Sequence, residues 1–438
     1  MLKGRLFFTM PRVPATATVR ELRMTCSEGN TKNVVRQVLG LPVIVAALGY
    51  FVDIYDLVLF SIVRVPSLKG IGLSGQELID KGVFLLNMQM AGMLLGGILW
   101  GVLGDRKGRL KIMFGSIFIY SVANLANGMA NSIETYAFLR FMAGVGLAGE
   151  LGAGITLVSE VLHRSIRGYG TMIVATVGVS GAILANFVAK QFDWRTAFVI
   201  GGILGLLLLL LRVSVAESGM FKGMESKEVA KGNFLALFTS RDRFGRFMNS
   251  ILIGLPSWFV VGVLITFSPE FARALAVQGT VNAGNAVMYC YMGLVAGDLV
   301  SGLLSQLLKS RKKVVLLFLL LTVAAVAGYF SAAGVSAGSF YLICGLLGFG
   351  IGYWAIFVTV AAEQFGTNLR ATVATTVPNF VRGMTIPITM LFQVARKVLG
   401  LEMGALAVGA LCLVIALISL SLLQETFHKD LDYFEEYL

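Results

Sequence analysis

The sequence has few of the residues with which soluble enzymes perform chemistry. Only 14% of its 438 residues are charged, whereas a soluble globular chain has about a quarter. It contains two histidines and four scattered cysteines, Cys26, Cys290, Cys344 and Cys412, whose spacing fits neither a metal site nor a disulfide framework. These scarcities exclude a soluble enzyme and a disulfide scaffold, and we expect no metal and no cofactor.

Several motifs are also missing. The chain has no Gly-x-x-x-x-Gly-Lys-Ser/Thr loop for ATP, no His-Glu-x-x-His or Gly-x-Ser-x-Gly element, and no long arginine-rich helix. ATP-driven transport by this chain, an intramembrane hydrolase and a voltage sensor are therefore excluded. We expect the chain not to be an enzyme.

Apolar residues, by contrast, are abundant. They make up 57% of the chain, and the mean hydropathy is +0.82. Stretches of 18 or more mostly apolar residues are long enough to cross a bilayer as helices. Twelve of them run over 40–64, 82–104, 112–132, 136–160, 169–190, 194–214, 247–272, 281–307, 314–334, 338–362, 372–395 and 401–423. The pattern predicts an all-α membrane protein with twelve transmembrane helices.

The net charge of +12 follows the predicted topology. Most lysines and arginines fall in the N-terminal segment, the C-terminal tail and every second loop, which the positive-inside rule assigns to the cytoplasm. We therefore expect both termini to be cytoplasmic and no nucleic-acid partner. Short loops and the lack of an Asn-x-Ser/Thr sequon favour the lipid bilayer of a bacterial-type cytoplasmic membrane. We also expect a monomer.

The two halves of the sequence repeat one pattern. The loop after the second stretch reads Gly101-Val-Leu-Gly-Asp105-Arg106-Lys-Gly108-Arg109, and roughly 200 residues later a glycine and a basic cluster follow the eighth stretch. A glutamate and an arginine recur at one spacing in both halves, as Glu160 with Arg167 and Glu363 with Arg370. The repeat predicts a cytoplasmic tail at 1–37, a six-helix bundle at 38–214, a linker at 215–246, a second bundle at 247–423 and a tail at 424–438. A start codon placed too far upstream is an alternative for the first segment.

The loop motif resembles that of the major facilitator superfamily, and the resemblance covers nearly the whole chain. It implies two pseudo-symmetric six-helix bundles that rock about a central site. It also implies a cytoplasmic gate, in which ion pairs are formed by Asp105, Arg109, Glu160, Arg167, Glu363 and Arg370. Gly101, Arg106 and Gly108 belong to this gate as the other members of the loop motif. The alternative is that these charges only anchor loops at the membrane surface.

Ionisable residues inside the predicted helices are the strongest functional signal, because a charge within a bilayer is costly. Asp53 and Asp56 lie on nearly one face of the first helix, while the fourth helix carries Arg140 and Glu150. A carboxylate in such a setting takes up a proton when its cation moves away. We expect these four residues to couple proton movement to transport, with Asp298 as a further candidate; a permanent structural ion pair is the alternative.

The same residues narrow the resemblance. Asp53-x-x-Asp56, together with Arg140 and Glu150, resembles the metabolite, phosphate and aromatic-acid proton symporters and the related organic-ion transporters. In those families the aspartate that matches Asp56 pairs with the arginine that matches Arg140. The phosphate symporters have aspartate in place of Glu150, so phosphate is less favoured as the substrate.

Arg382, near the middle of the eleventh stretch, is the predicted substrate-binding residue. Its guanidinium offers a rigid fork that suits a carboxylate or phosphate, and the organic-anion transporters place a substrate-binding arginine in this helix. The alternative is a structural role as the partner of Asp298 or of a backbone carbonyl. Further candidates for the binding cavity are Asn379, Trp258, Tyr289, Tyr353 and Trp354, although such aromatic residues also serve in ordinary packing.

These features together predict a proton-coupled symporter that imports a small organic anion by alternating access. A proton antiporter that exports a drug, an organic cation or a metabolite is the alternative within the same fold. A receptor that kept a transporter fold is a third possibility, but the modest loops leave no room for the extra domain such proteins carry.

Overall fold

In a computed structural model of the chain, the described residues are 39–107, 109–150, 154, 158, 162, 167–217, 234–427 and 435. This part of the chain is helical and contains no β-strand, only an isolated bridge between Gln278 and Ser336. The predicted all-α fold is confirmed.

The first half has helices at all six predicted positions. They are α1 (Leu41–Gly70), α2 (Glu77–Lys107), α3 (Arg109–Asn127), α4 (Ile133–Leu147), α5 (Arg167–Val179), α6 (Gly181–Gln191) and α7 (Trp194–Glu217). Helices α5 and α6 share the fifth position and are interrupted at Ser180. Helix α1 packs on α5, α6 and α7, and α3 packs on α4 and α7, so these helices form one bundle.

The second half is more often interrupted. After a 3₁₀ helix at Phe234–Phe238, its helices are α8 (Arg241–Leu252), α9 (Leu255–Phe259), a π-helix (Val260–Ile265), α10 (Ser268–Ala274), α11 (Ala283–Leu307), α12 (Arg311–Phe330), α13 (Ala337–Gly350), α14 (Trp354–Glu363), α15 (Thr367–Gly383), α16 (Thr385–Leu399) and α17 (Leu401–Leu422). Helix α8 begins inside the segment predicted as a linker.

Nine helical segments of the described residues are long and apolar enough to cross a membrane. The other three predicted positions are occupied by α3, by α4 and by the pair α15 and α16. Helices therefore stand at all twelve positions that hydropathy predicted. Helix α1 runs past the predicted end of the first stretch, to Gly70.

The two halves meet along two seams. Helix α2 packs on α15 and α16, where Thr389 donates a hydrogen bond to Asn87 over 2.7 Å. Helix α11 packs on α1, α5 and α6, where Asn186 donates to Asn285 over 3.3 Å. We call the end of the bundle that carries loops 71–76, 275–282 and 331–336 the predicted outer end, because the distribution of positive charge assigns it there.

Candidate substrate and coupling site

A cavity lies between the two halves, at the level where several helices are interrupted. Of the described residues that line it, Arg382 alone is charged. The lining consists of Tyr50, Ile54, Leu57, Val179, Ser257, Trp258, Val261, Tyr291, Leu294, Ile351, Trp354 and Arg382. Both halves contribute, as expected for a transporter site at a repeat interface.

Breaks in the helices place the main side chains at this cavity. Arg382 is the second-last residue of α15, Trp354 is the first residue of α14, and Trp258 lies next to the π-helix. Irregular backbone at membrane depth is tolerated only where it is buried in protein or lines a cavity. The interrupted helices of the second half therefore place the cation, Arg382, and two aromatic side chains, Trp258 and Trp354, at the cavity.

Arg382 faces Asp53 across the boundary between the halves. Its Nη2 atom lies 3.7 Å from Asp53 Oδ2, and both side chains are almost fully buried. The pair is loose: neither oxygen of Asp53, and neither Nε nor Nη1 of Arg382, has a hydrogen-bond partner among the described residues. The sequence alone suggested Asp298 or a carbonyl as the partner, and the structure instead joins the predicted coupling residue to the predicted binding residue.

Asn379 and Asp298 bind backbone rather than Arg382. Asn379 donates to the carbonyl oxygen of Ala148 over 3.0 Å and so joins α15 to the first half. Asp298 accepts the N–H of Ala355 over 3.1 Å, in the first turn of α14, where a negative charge complements the helix dipole. Both residues therefore brace the region around the cavity.

The four predicted aromatic residues divide between the cavity and its surroundings. Trp258 and Trp354 line it. Tyr353 is buried behind it and donates to the carbonyl of Ile253 over 2.9 Å. Tyr289 stacks on Tyr341 within the second half, with ring centroids 5.7 Å apart, and is not part of the lining.

Asp56 and Arg140 are both buried in the first half but form no ion pair in the described structure. The guanidinium of Arg140 lies over the rings of Phe60 and Phe198, 5.6 and 5.2 Å from their centroids, and its nitrogens have no described hydrogen-bond partner. Both oxygens of Asp56 also lack one. The ion pair that the resemblance implied is therefore not formed between these described side chains.

Glu150 has a cation of its own. Arg212 of α7 lies 2.9 Å from Glu150 Oε2 and donates to Oε1 over 3.1 Å, and Ser116 also donates to Oε1 over 3.0 Å. All of these groups are buried. Gly49 of α1 packs directly on the pair, because a Cβ atom there would collide with Arg212. Glu150 is thus neutralised within the first half.

Most of the predicted cytoplasmic gate cannot be placed. Gly108 and Glu160 lie outside the described residues, as do the side chains of Asp105, Arg106, Arg109 and Arg167. Gly101 lies on α2 against Thr376 of α15, at the seam between the halves.

The second-half members of that gate do not pair with each other in the described contacts. Glu363 lies 3.5 Å from Arg311 and accepts a hydrogen bond from Thr426 over 2.7 Å. Arg370 donates to the carbonyl of Phe365 over 3.3 Å. Glu363 therefore connects the start of α12 to the segment that follows α17.

Sequence reasoning missed several charged and polar residues of these sites. Arg212 is not among the predicted site residues, because it stands near the end of an apolar stretch, where a positive charge ordinarily reflects topology. Tyr50 lies one turn from Asp53 and lines the cavity beside Arg382, a position that its helical spacing could have indicated. Among the described residues no group of three or more histidine, cysteine or acidic side chains could hold a metal.

Comparison with known proteins identifies the family. The family model described as Major Facilitator Superfamily matches residues 46–384. The chain belongs to the Major Facilitator Superfamily. Membership of this superfamily makes it a multi-pass membrane transporter and not an enzyme, and the predicted fold of two helical bundles is confirmed with it.

Two transporters resemble the chain over most of their length, and a third resembles it over about a third. The niacin transporter NiaP of Acinetobacter baylyi is 26% identical over 364 residues, which cover 75% of this chain and 80% of the relative. The 3-(3-hydroxy-phenyl)propionate transporter of Escherichia coli is 28% identical over 299 residues, 66% of this chain and 71% of the relative. The sialic acid transporter NanX of Escherichia coli is 32% identical, but over only 33% of this chain and 36% of the relative.

Proposed function

We propose that this transporter carries a small organic anion of the carboxylate type together with a proton, by alternating access. The observation that carries the proposal is the buried Asp53–Arg382 pair at 3.7 Å, which spans the two halves at the edge of the cavity. A loose pair whose donors and acceptors are not all occupied by described residues can exchange its partner for a substrate at low cost.

The exchange also couples the two movements. A substrate carboxylate that binds Arg382 displaces Asp53, which is then a buried carboxylate without its cation. Such a group is stabilised by taking up a proton. Anion and proton therefore load together, and the Asp53–Arg382 pair reforms when both have left. The re-formed pair lets the empty transporter return without a free charge in its centre.

The cavity favours a monoanion with a flat apolar body. Arg382 is the single charged group of its described lining, so one carboxylate is matched. Trp258, Trp354, Tyr50 and Tyr291 offer ring faces for stacking. Two of the relatives are named for niacin and for 3-(3-hydroxy-phenyl)propionate, aromatic carboxylic acids that fit this description.

The remaining buried acidic residues have different roles. Glu150 and Asp298 already have partners at about 3 Å, so we assign them to structure. Asp56 and Arg140 lie deeper in the first half, and we propose them as a second proton site. A monomer with both termini in the cytoplasm of a bacterial-type cell completes the proposal.

The test is proton flux in proteoliposomes, followed with a pH-sensitive dye in the outside medium. The panel comprises nicotinate, 3-(3-hydroxyphenyl)propionate, benzoate, a dicarboxylate, phosphate, a sugar and an organic cation. We expect alkalinisation of the medium on addition of the aromatic monocarboxylates only. Empty liposomes, and proteoliposomes treated with a protonophore, are the controls.

Two outcomes would overturn the proposal in different ways. Flux with the organic cation alone, in the direction opposite to protons, would establish the exporter and leave Arg382 a structural residue. Uptake of a carboxylate without any proton movement would retain the substrate class but remove the coupling.

A further inference from the structure

A second ion pair joins the halves near the predicted outer end of α1. One nitrogen of Arg64, Nη2, donates to both carboxylate oxygens of Glu270, over 2.7 and 2.8 Å. The arginine is fully buried and the glutamate is 8% exposed. Glu270 belongs to the short helix α10, which directly follows the seventh span.

The surroundings of this pair are built from both halves. Arg64 also donates to the carbonyl oxygens of Thr266, over 3.2 Å, and of Leu78, over 3.0 Å. Its guanidinium lies over the ring of Phe267, 4.3 Å from the centroid. One turn further in, the hydroxyl groups of Ser61 and Thr266 lie 3.0 Å apart. The outer end is therefore closed around a buried cation beside an aromatic ring.

Alternating access requires these contacts to separate when the cavity opens outward. Arg64 then stays with α1 while Glu270 and Phe267 move with the second half. A cation at this depth without a counter-charge is costly, because separating a buried ion pair leaves each charge uncompensated. An anion that enters at that moment offers the missing charge.

We propose that Arg64 is a binding site for the substrate carboxylate at the outer entrance, occupied by Glu270 whenever the entrance is closed. The proposal rests on the anionic substrate proposed above. Arg64 and Asp53 are eleven residues apart on one helix, or about 16 Å at the rise of an α-helix. The anion thus meets two arginines in turn, and each is held by a carboxylate of the opposite half until the anion replaces it.

The test compares two variants that weaken the closed entrance alike but differ in the cation. Glu270→Gln removes the carboxylate and leaves Arg64 free to bind the anion. Arg64→Gln combined with Glu270→Gln removes both charges and leaves no buried ion behind. Uptake of labelled nicotinate, or of the panel's fastest carboxylate if that is another, is measured in right-side-out vesicles.

We expect the external KM of Glu270→Gln to be equal to or below that of the unaltered protein, and the KM of the double variant to be about tenfold higher. Ser61→Ala is the control, since it removes the neighbouring contact with Thr266 between the same two halves without touching either charge, and its KM should stay unchanged. Equal KM values for Glu270→Gln and the double variant would overturn the binding role and leave the pair as a gate only.

A second measurement guards against variants that fold poorly. Thermal unfolding in detergent, with and without the same carboxylate, should show a larger stabilisation by the anion for Glu270→Gln than for the double variant. An equal stabilisation would contradict the inference even if transport is lost. Failure of the unaltered protein to take up any carboxylate would instead refute the proposed function, so the two failures are distinguishable.

Discussion

Two ion pairs connect α1 to the second half, and they differ in how completely they are made. Near the predicted outer end, Arg64 binds both oxygens of Glu270 over 2.7 and 2.8 Å and also donates to two backbone carbonyls. In the centre, Arg382 and Asp53 stand 3.7 Å apart, and several of their donors and acceptors have no hydrogen-bond partner within the described part of the chain. One helix thus carries a cation in one pair and an anion in the other.

The difference indicates different roles. Hydrogen bonds to charged groups contribute about 1.5–3 kcal/mol each, so the outer pair holds its entrance closed until something of equal charge replaces it. The central pair forgoes most of that energy, so a ligand and a proton can separate it more readily. On this view the tight pair controls access and the loose pair performs the coupled exchange.

Among the variants considered, removal of the central cation, Arg382, is expected to change substrate uptake most. Arg382→Ala deletes the group that we propose to bind the carboxylate, and the loss of two charge-assisted hydrogen bonds at about 1.5–3 kcal/mol each corresponds to a fall in affinity of roughly 100-fold or more. The fall in affinity is measured from initial uptake rates over a range of substrate concentrations.

Arg382→Lys is the matched variant. It keeps the charge but not the fork, and it should retain measurable uptake with a raised KM. Unimpaired uptake by Arg382→Ala would show that the central pair is structural, which would remove the distinction between the two pairs.

Asp53→Asn should separate binding from coupling. The amide no longer competes for Arg382 as an anion and takes up no proton, so we expect a lower KM together with the loss of accumulation against a gradient. Exchange of labelled for unlabelled substrate across the membrane should continue, because exchange needs no net proton movement. Accumulation at the normal level by Asp53→Asn would place the coupling site elsewhere, with Asp56 as the next candidate.

The sequence was sufficient to predict where the helices stand. A chain in lipid must satisfy its backbone hydrogen bonds internally, so long apolar stretches have little choice but to be helical. The cost of burying charge also singled out Asp53 and Arg382 without any structure. The breaks in α13–α14 and α15–α16 were not predicted, because the average hydropathy of an apolar stretch does not locate an interruption within it.

The pairing of the charges could not be predicted from one sequence. Glu150 pairs with Arg212 rather than sharing Arg140 with the aspartates, because helix packing brings α7 to that point. The choice between neighbouring residues also depends on helix rotation. Tyr291 lines the cavity while Tyr289, two positions earlier, faces Tyr341, as expected when successive residues turn by about 100°.

The buried pair of Glu150 and Arg212 has short contacts, like Arg64 with Glu270, but it lies within one half. It therefore separates the effect of short contacts from the effect of connecting the two halves. Arg212→Ala leaves a buried carboxylate unpaired, which costs about 3–5 kcal/mol. We expect a clear fall in the melting temperature in detergent with little change in KM. Glu150→Gln combined with Arg212→Gln should recover most of the stability. A large change in KM without a loss of stability would assign this pair to transport instead.

The smallest effect, a slight change in melting temperature, is expected for substitution of Glu425, a carboxylate that accepts hydrogen bonds at the protein surface. Glu425 accepts hydrogen bonds from the Ser310 hydroxyl and from the backbone N–H groups of Arg311 and Lys312, at the start of α12. Burial raises its pKa, but these hydrogen bonds outweigh burial and lower the pKa to about 2. The group is mostly exposed, so its contribution to stability is modest.

Because the pKa of Glu425 is lowered, the ionised group stabilises the folded protein at pH values above the ordinary glutamate pKa. That stabilisation is lost as the pH falls towards 2. Glu425→Gln should therefore lower the melting temperature by no more than about 2 °C at pH 7, and the difference from the unaltered protein should shrink below about pH 4.5. Ser310→Ala, which keeps the carboxylate and removes one donor, should give a still smaller shift. A loss of several degrees by Glu425→Gln at pH 7 would mean that hydrogen bonds at the surface stabilise the protein as much as the buried pairs Arg64–Glu270 and Glu150–Arg212 do. Short hydrogen-bond distances alone would then not distinguish the pair that controls access from other pairs.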